Sequence, residues 1–136
     1  MIIVDASVAL KWVMPEEDSS AARTLQQSEL AAPDIWIIEV ANALWRRVVQ
    51  KELSQKEAAS RLAWLRRAPV RPIPASDLIE DAFRIATELK HPVYDCIYLA
   101  GALREEAKVV TADVRFTNAA GAHSKYAQHI RLLGEA

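Results

Sequence analysis

The sequence predicts an α/β domain with a parallel central sheet flanked by helices in three layers. Two observations carry this reading. The apolar run Met1 to Val4 ends on Asp5, and Lys108 to Thr111 is followed at once by Ala112-Asp113, so two strands of β-forming residues each emerge at a carboxylate. Between them lie helix-length segments with apolar positions three and four residues apart. Strands that alternate with helices pair in parallel, and right-handed crossovers bring their carboxyl ends to one edge, where ligands of such sheets collect.

At 136 residues, 51% of them hydrophobic, the chain is expected to form a single domain, residues 1–136, with a substantial core. A net charge of −1 rules out a global basic field, so nucleic-acid contacts would need locally grouped cations. The lone Cys96 sits in an apolar helical pattern and reads as a small buried thiol in a reducing cytoplasm. The start of the chain lacks a charged leader pattern, and no apolar run reaches the roughly 18 residues of a membrane span. A soluble, cytoplasmic protein without a membrane partner is expected.

After Asp5, residues 7–13 suggest a short helix stopped by Pro15, and a second helix runs to about Leu30. Glu16, Glu17 and Asp18 at its start read as dipole partners on a solvated face. Ala31-Ala32-Pro33 is a short extended piece, and Asp34 is placed to cap a helix from Ile35 to about Lys51. Along that helix Trp36, Val40, Ala43, Leu44 and Val48 form the apolar stripe, and Glu39 lies about 60° to its flank. A carboxylate so near the core needs a partner. Ser54-Gln55-Lys56-Glu57 matches a capping box and opens a helix to about Arg67. Val70 to Ile73, set among prolines, reads as an edge strand or extended connection. Ser76 should cap a helix to about Lys90 whose Leu78, Ile79, Ala82, Phe83 and Ala86 pack in the core. His91 reads as a loop residue, and Pro92 precedes a largely buried helix with Asp95 in its first turn. Asn118 to Lys125 is expected to be a surface loop and His129 to Leu133 a last edge strand.

Asp5 and Asp113 therefore share the sheet edge, and Glu39 and Asp95 can converge on it from helices. Two of them have a plainer alternative: Asp5 could simply cap the helix that follows it, and Asp95 could complement the dipole of its own helix. Four carboxylates with no matching cluster of Lys or His are tolerated mainly around a hard divalent cation, and oxygen ligands favour Mg²⁺ or Mn²⁺ over zinc. Arg46, Arg47, Lys51, Arg61, Arg66 and Arg67 make the densest basic region, either a solvated face or a set of RNA phosphate contacts.

Val4-Asp5-Ala6-Ser7, Glu39 to Leu44, Tyr94 to Ala100 and Val110 to Phe116 resemble the signature blocks of PIN-domain nucleases, most nearly the toxins of VapBC-type toxin–antitoxin pairs. The four blocks stand in order and span nearly the whole chain. The resemblance implies a PIN-like fold and a metal-dependent endoribonuclease with Asp5, Glu39, Asp95 and Asp113 as its acidic site. It also implies polar support from Ser7, Asn42 and Thr111, and adds Arg115 to the candidate RNA contacts. Asp5, Asp95 and Asp113 would hold Mg²⁺ or Mn²⁺, and Glu39 would bind the metal or orient the attacking water. Ser7 and Thr111 either fix carboxylate orientation or simply cap strand ends. Cys96 and Gly101 depart modestly from the pattern, Gly101 by interrupting the buried helix.

Rival classes fare worse. A phosphoaspartyl phosphatase expects a second acid two residues after the first, where this chain has Ser7; a dinucleotide fold needs a Gly-rich turn, and the only glycines are 101, 121 and 134. A PIN fold serving as a catalytically silent binding module is the alternative that stays open. Trp45 lies half a turn from Trp36, so both are buried only if the helix packs on two sides. A second subunit or a partner segment could supply the other side, and the resemblance likewise implies a homodimer neutralised by a cognate antitoxin.

Overall fold

The computed structural model describes residues 1–135. Its strands are β1 (Ile2–Val4), β2 (Leu30–Pro33), β3 (Val70–Ile73), β4 (Lys108–Thr111) and β5 (Ile130–Leu132). They form one sheet, every pairing parallel, in the order β3-β2-β1-β4-β5. Ile2 stands beside Leu30 on one side and Lys108 on the other. The chain winds outward from β1 in one direction through β2 and β3, and in the other through β4 and β5. The strand order therefore switches between β1 and β4, and Asp5 and Asp113 lie beyond the carboxyl ends of those two strands.

The helices are α1 (Ala6–Ala9), α2 (Ser19–Thr24), α3 (Trp36–Val49), α4 (Gln55–Arg66), α5 (Ile79–Leu89), α6 (Val93–Arg104) and α7 (Val114–Gly121), with short 3₁₀ turns between some of them. α6 packs on β1, β2 and β4, which is why Cys96 to Ala102 is buried without a break. Among the described residues, no helix is long and apolar enough to cross a membrane.

Several local expectations are confirmed. Ser54 and Glu57 form the reciprocal capping box, with bonds of 3.0 and 2.9 Å. Pro72 sits on edge strand β3, where a missing N–H is harmless. Cys96 is buried.

Others are corrected. The piece at Ala31 to Pro33 is part of an interior strand, fully buried because it pairs on both sides. The helix expected to reach Leu30 ends earlier, because Ser28 turns extended and the chain enters β2. Asp34 makes no cap; its Oδ1 accepts the Ala75 amide at 3.0 Å and ties the ends of β2 and β3 together. Ser76 lies inside a 3₁₀ turn, and α5 starts at Ile79 without a side-chain cap. Ile79 and Phe83 are 46% and 63% exposed, whereas Leu78, Ala82, Ile85 and Ala86 are buried. The apolar arc of α5 is thus wider than the face it buries. Asn118 to Gly121 belongs to α7, whose Ala120 reaches the core.

Gly101 does not interrupt α6. A Cβ built there would meet Leu78, Ile73 and Pro33 side-chain atoms at 3.6 to 3.7 Å, ordinary contact distances. Gly101→Ala should therefore relieve the helical penalty of glycine, raising stability by about 0.5–1 kcal/mol. A thermal melt should rise by roughly 2–4 °C for a chain of this size. A lower melting temperature would mean that the three neighbours cannot accept the methyl.

Candidate active site

Asp5 follows the buried β1 and is only 6% exposed. It occupies the residue before α1, yet its side chain makes no cap. Its Oδ2 instead receives two hydroxyls, Thr111 Oγ1 at 2.6 Å and Ser7 Oγ at 2.8 Å. Those hydroxyls are themselves fixed, because Ser7 Oγ accepts the Ala112 amide and Thr111 Oγ1 accepts the Asp113 amide, each at 3.1 Å. Burial drives the Asp5 pKa up, the two hydroxyl bonds pull it back, and the charge of Asp95 adds to the rise; the net shift is upward. No cation offsets that burial within the hydrogen-bonded set, so the carboxylate is held in its orientation by neutral donors alone.

The other three carboxylates are anchored in different ways. Glu39 is positioned by the first turn of α3 and accepts a very short hydrogen bond from the Tyr98 hydroxyl at its Oε1. Burial raises its pKa most, the Tyr98 bond lowers it, the charges of Asp5 and Asp95 raise it further, and the result is about 7. Tyr98 is pushed well above the ordinary tyrosine value, first by burial and then by the negative charge of Asp5 and Glu39, so its phenol stays a donor. Asp95 Oδ2 lies 2.7 Å from His91 Nε2. Asp113 does cap a helix, its Oδ1 accepting the Phe116 amide at 3.2 Å at the start of α7.

All four line one cavity of about 660 Å³ at the carboxyl edge of the sheet, together with Ser7, Asn42 and Arg46. Thr111 stands behind Asp5. His91, Asp95 and Asp113 each offer a ligand atom within 4.8 Å of the others, a spacing that one ion could span.

The structure does not bring the basic group together at the cavity. Arg46 reaches it, but Arg47 pairs with Glu52 at 2.8 Å and Glu16 at 3.5 Å. Arg61 turns inward and donates to the Val13 carbonyl at 2.9 Å. Lys51, Arg66, Arg67 and Arg115 are exposed and do not line it. Glu16 and Asp18 are not simple dipole partners on a solvated face: they bind the buried Lys11 ammonium at 2.6 and 2.9 Å, and Lys11 and Glu16 both line the cavity.

Sequence reasoning missed Tyr98 and His91. A tyrosine inside a buried run requires an acceptor for its hydroxyl, and Glu39 required a partner; joining those two needs would have paired them. His91 stands four residues before Asp95, the helical spacing for a side-chain pair, but Pro92 between them suggested only a loop.

A PIN-domain family model matches residues 2–122. The chain belongs to the PIN-domain family. It is 32% identical over 116 residues to ribonuclease VapC3 of Pyrobaculum aerophilum, covering 82% of this chain and 88% of that protein. Ribonuclease VapC9 of Mycobacterium tuberculosis is 30% identical over 118 residues, with 87% and 90% covered. The crystal structure of PAE2754 from Pyrobaculum aerophilum superposes with a TM-score of 0.68 at 21% identity, over 87% of this chain and 78% of that one, a likeness of fold. The PIN fold expected from the sequence is thereby confirmed.

The raised pKa of Glu39 has a sign that can be tested. A carboxyl with a folded pKa of about 7 and an unfolded value near 4.5 takes up a proton on folding between those limits, so it opposes stability as pH rises through that window. Asp5, also raised, acts in the same direction. In chelator the protein should melt higher at pH 5 than at pH 7.5, and Glu39→Gln should reduce that difference. Equal differences in parent and variant would show that Glu39 is not the group responsible.

Proposed function

We propose that the chain is a metal-dependent endoribonuclease and the toxin of a toxin–antitoxin pair. The observation that carries this reading is the set of four separately anchored carboxylates around one cavity at the β1/β4 switch point, in a chain similar to proteins named VapC ribonucleases.

The donor set fits a hard divalent cation. Asp5, Asp95 and Asp113 would hold Mg²⁺ or Mn²⁺; Asp95 and Asp113 offer oxygens within 4.8 Å of each other, and each of the three has one named oxygen fixed by a hydrogen bond. Such an ion, when bound, lowers the pKa of a water and offsets charge building on the non-bridging phosphate oxygens. Glu39 has its Oε1 engaged by Tyr98, so Oε2 is the atom to orient the attacking water and take its proton; a pKa of about 7 suits that exchange at neutral pH. Attack of water on phosphorus expels the 3′ oxygen, giving a 5′-phosphate and a 3′-hydroxyl without use of the 2′-hydroxyl. Arg46, facing the cavity, and Asn42 beside it are assigned to the RNA strand, Arg46 to its phosphates.

The partner assignments rest on exposed apolar surface. Between α3 and α4 lies a groove of about 380 Å³ lined by Ala41, Leu44, Val48, Ala58 and Leu62, with Trp45, 59% exposed, at its side. We assign it to an apolar segment of the cognate antitoxin, and the exposed Ile79 and Phe83 of α5 to a second copy of this chain.

Cleavage of RNA should require Mg²⁺ or Mn²⁺ and should vanish in Asp5→Asn, measured by the ends of the RNA products. Full activity in excess chelator or in that variant would refute the reading, and no cleavage by the parent under any metal would leave a binding module. Trp45→Ala should weaken antitoxin capture while costing less than the roughly 3–5 kcal/mol of a core aromatic deletion. Phe83→Ser should shift the sedimenting species toward monomer and leave antitoxin capture intact. A large loss of stability with unchanged association would return Trp45 to a packing role.

A further inference from the structure

His91 is built into the candidate metal site more firmly than a loop histidine needs to be. Lys90 takes the left-handed conformation, φ 54°, which ends α5 and turns the chain so that His91 faces inward. The His91 side chain is 9% exposed. Its ring stacks on Phe116, with centroids 5.1 Å apart and planes 17° from parallel. Phe116 is fully buried, and its amide is the group that fixes Asp113. A continuous chain of contacts thus runs from Asp95 through His91 and Phe116 to Asp113, joining two carboxylates that come from the starts of α6 and α7.

We propose that His91 is a positioning residue of the metal site, orienting Asp95 through Nε2 and setting its spacing from Asp113 through the stack on Phe116. The inference rests on the metal-dependent reading above. The contacts are specific in what they restrain. The hydrogen bond engages Oδ2 of Asp95, so the carboxylate cannot rotate freely, and the stack prevents the imidazole from following it outward. Nothing equivalent is needed for Asp5, which two hydroxyls already fix. Partners that orient a ligating carboxylate typically change metal affinity by about 10- to 100-fold when removed.

The test is Mn²⁺ affinity by calorimetric titration of the metal-free protein, with a thermal melt in chelator to establish that each variant folds. His91→Phe retains an aromatic ring on Phe116 but removes the N–H, and should weaken Mn²⁺ binding by about 10-fold or more. His91→Gln replaces the ring but returns a donor, and should recover part of the affinity. In an Asp95→Asn background, His91→Phe should change the remaining affinity by less than about twofold, since the interaction it removes is already altered. Parent-like affinity in His91→Phe, or equal losses in both backgrounds, would overturn the proposal and leave His91 a packing residue. Should His91→Phe fail to fold, His91→Gln against His91→Ala makes the same comparison. A parent that binds no Mn²⁺ would overturn the metal-dependent reading and this inference with it, whereas a parent that binds alongside unaffected variants overturns only the role of His91.

Discussion

The burial of a carboxylate at the end of the central strand is the constraint on which the site depends. Asp5 is 6% exposed and extends from the strand that pairs on both sides, so the strand fixes its backbone at the centre of the sheet. A buried carboxylate without partners costs several kcal/mol on the order of a lost charge–solvent interaction. The chain meets that cost with two hydroxyls from Ser7 and Thr111, the second from the neighbouring strand β4. Because these hydroxyls in turn accept the Ala112 and Asp113 amides, the turn leaving β4 is shaped by the same network that holds Asp5. The position of Asp113 follows from that turn. Two of the four acids are therefore fixed relative to one another by one hydrogen-bonded unit at the strand switch.

The remaining two come from helices and need their own anchors. Glu39 is held by a tyrosine on α6 and Asp95 by a histidine just before it, so α6 supplies or seats both. Its uninterrupted burial against β1, β2 and β4 is what makes that placement rigid. A helix buried on all sides must still satisfy the hydroxyl of Tyr98, and Glu39 is the acceptor available to it. Core packing and site geometry are here one problem.

These relations explain which parts could be read in the sequence. An apolar run ending on an acid identifies a buried strand and the place where its carboxyl end opens, so β1, β4 and the edge with Asp5 and Asp113 were legible. The stripe on α3 correctly placed Glu39 at its flank. Periodicity, however, marks which residues share a helix face and not how far the neighbouring element extends over it; Ile79 and Phe83 of α5 lie beyond that reach. Capping rules likewise see only local candidates. Asp34 and Ser76 satisfied those rules, but the Ala75 amide offered Asp34 a tertiary partner and the 3₁₀ turn consumed Ser76. Arg61 looked like part of a basic surface because its partner, the Val13 carbonyl, is remote in sequence.

The anchoring pattern also bears on how four carboxylates can share one cavity. Burial above all, with the charges of Asp5 and Asp95 adding to it, raises the Glu39 pKa to about 7, so this carboxyl takes up a proton near neutrality more readily than an exposed one. A neutral donor stands beside three of the four carboxylates: hydroxyls at Asp5, a phenol at Glu39, an amide at Asp113. A lysine or arginine in any of these places would offset the repulsion among the acids, but it would also compete for the position proposed for a divalent ion. Lys11, the buried cation nearest in the chain, is instead bound by Glu16 and Asp18 at 2.6 and 2.9 Å. That ion pairing satisfies its charge outside the set of four acids and leaves their negative field for the ligand. Under the proposed metal-binding role, four carboxylates that share one cavity with no Lys or Arg among their described hydrogen-bond donors are the direction of compromise expected where binding, rather than folding, has determined which charges face each other.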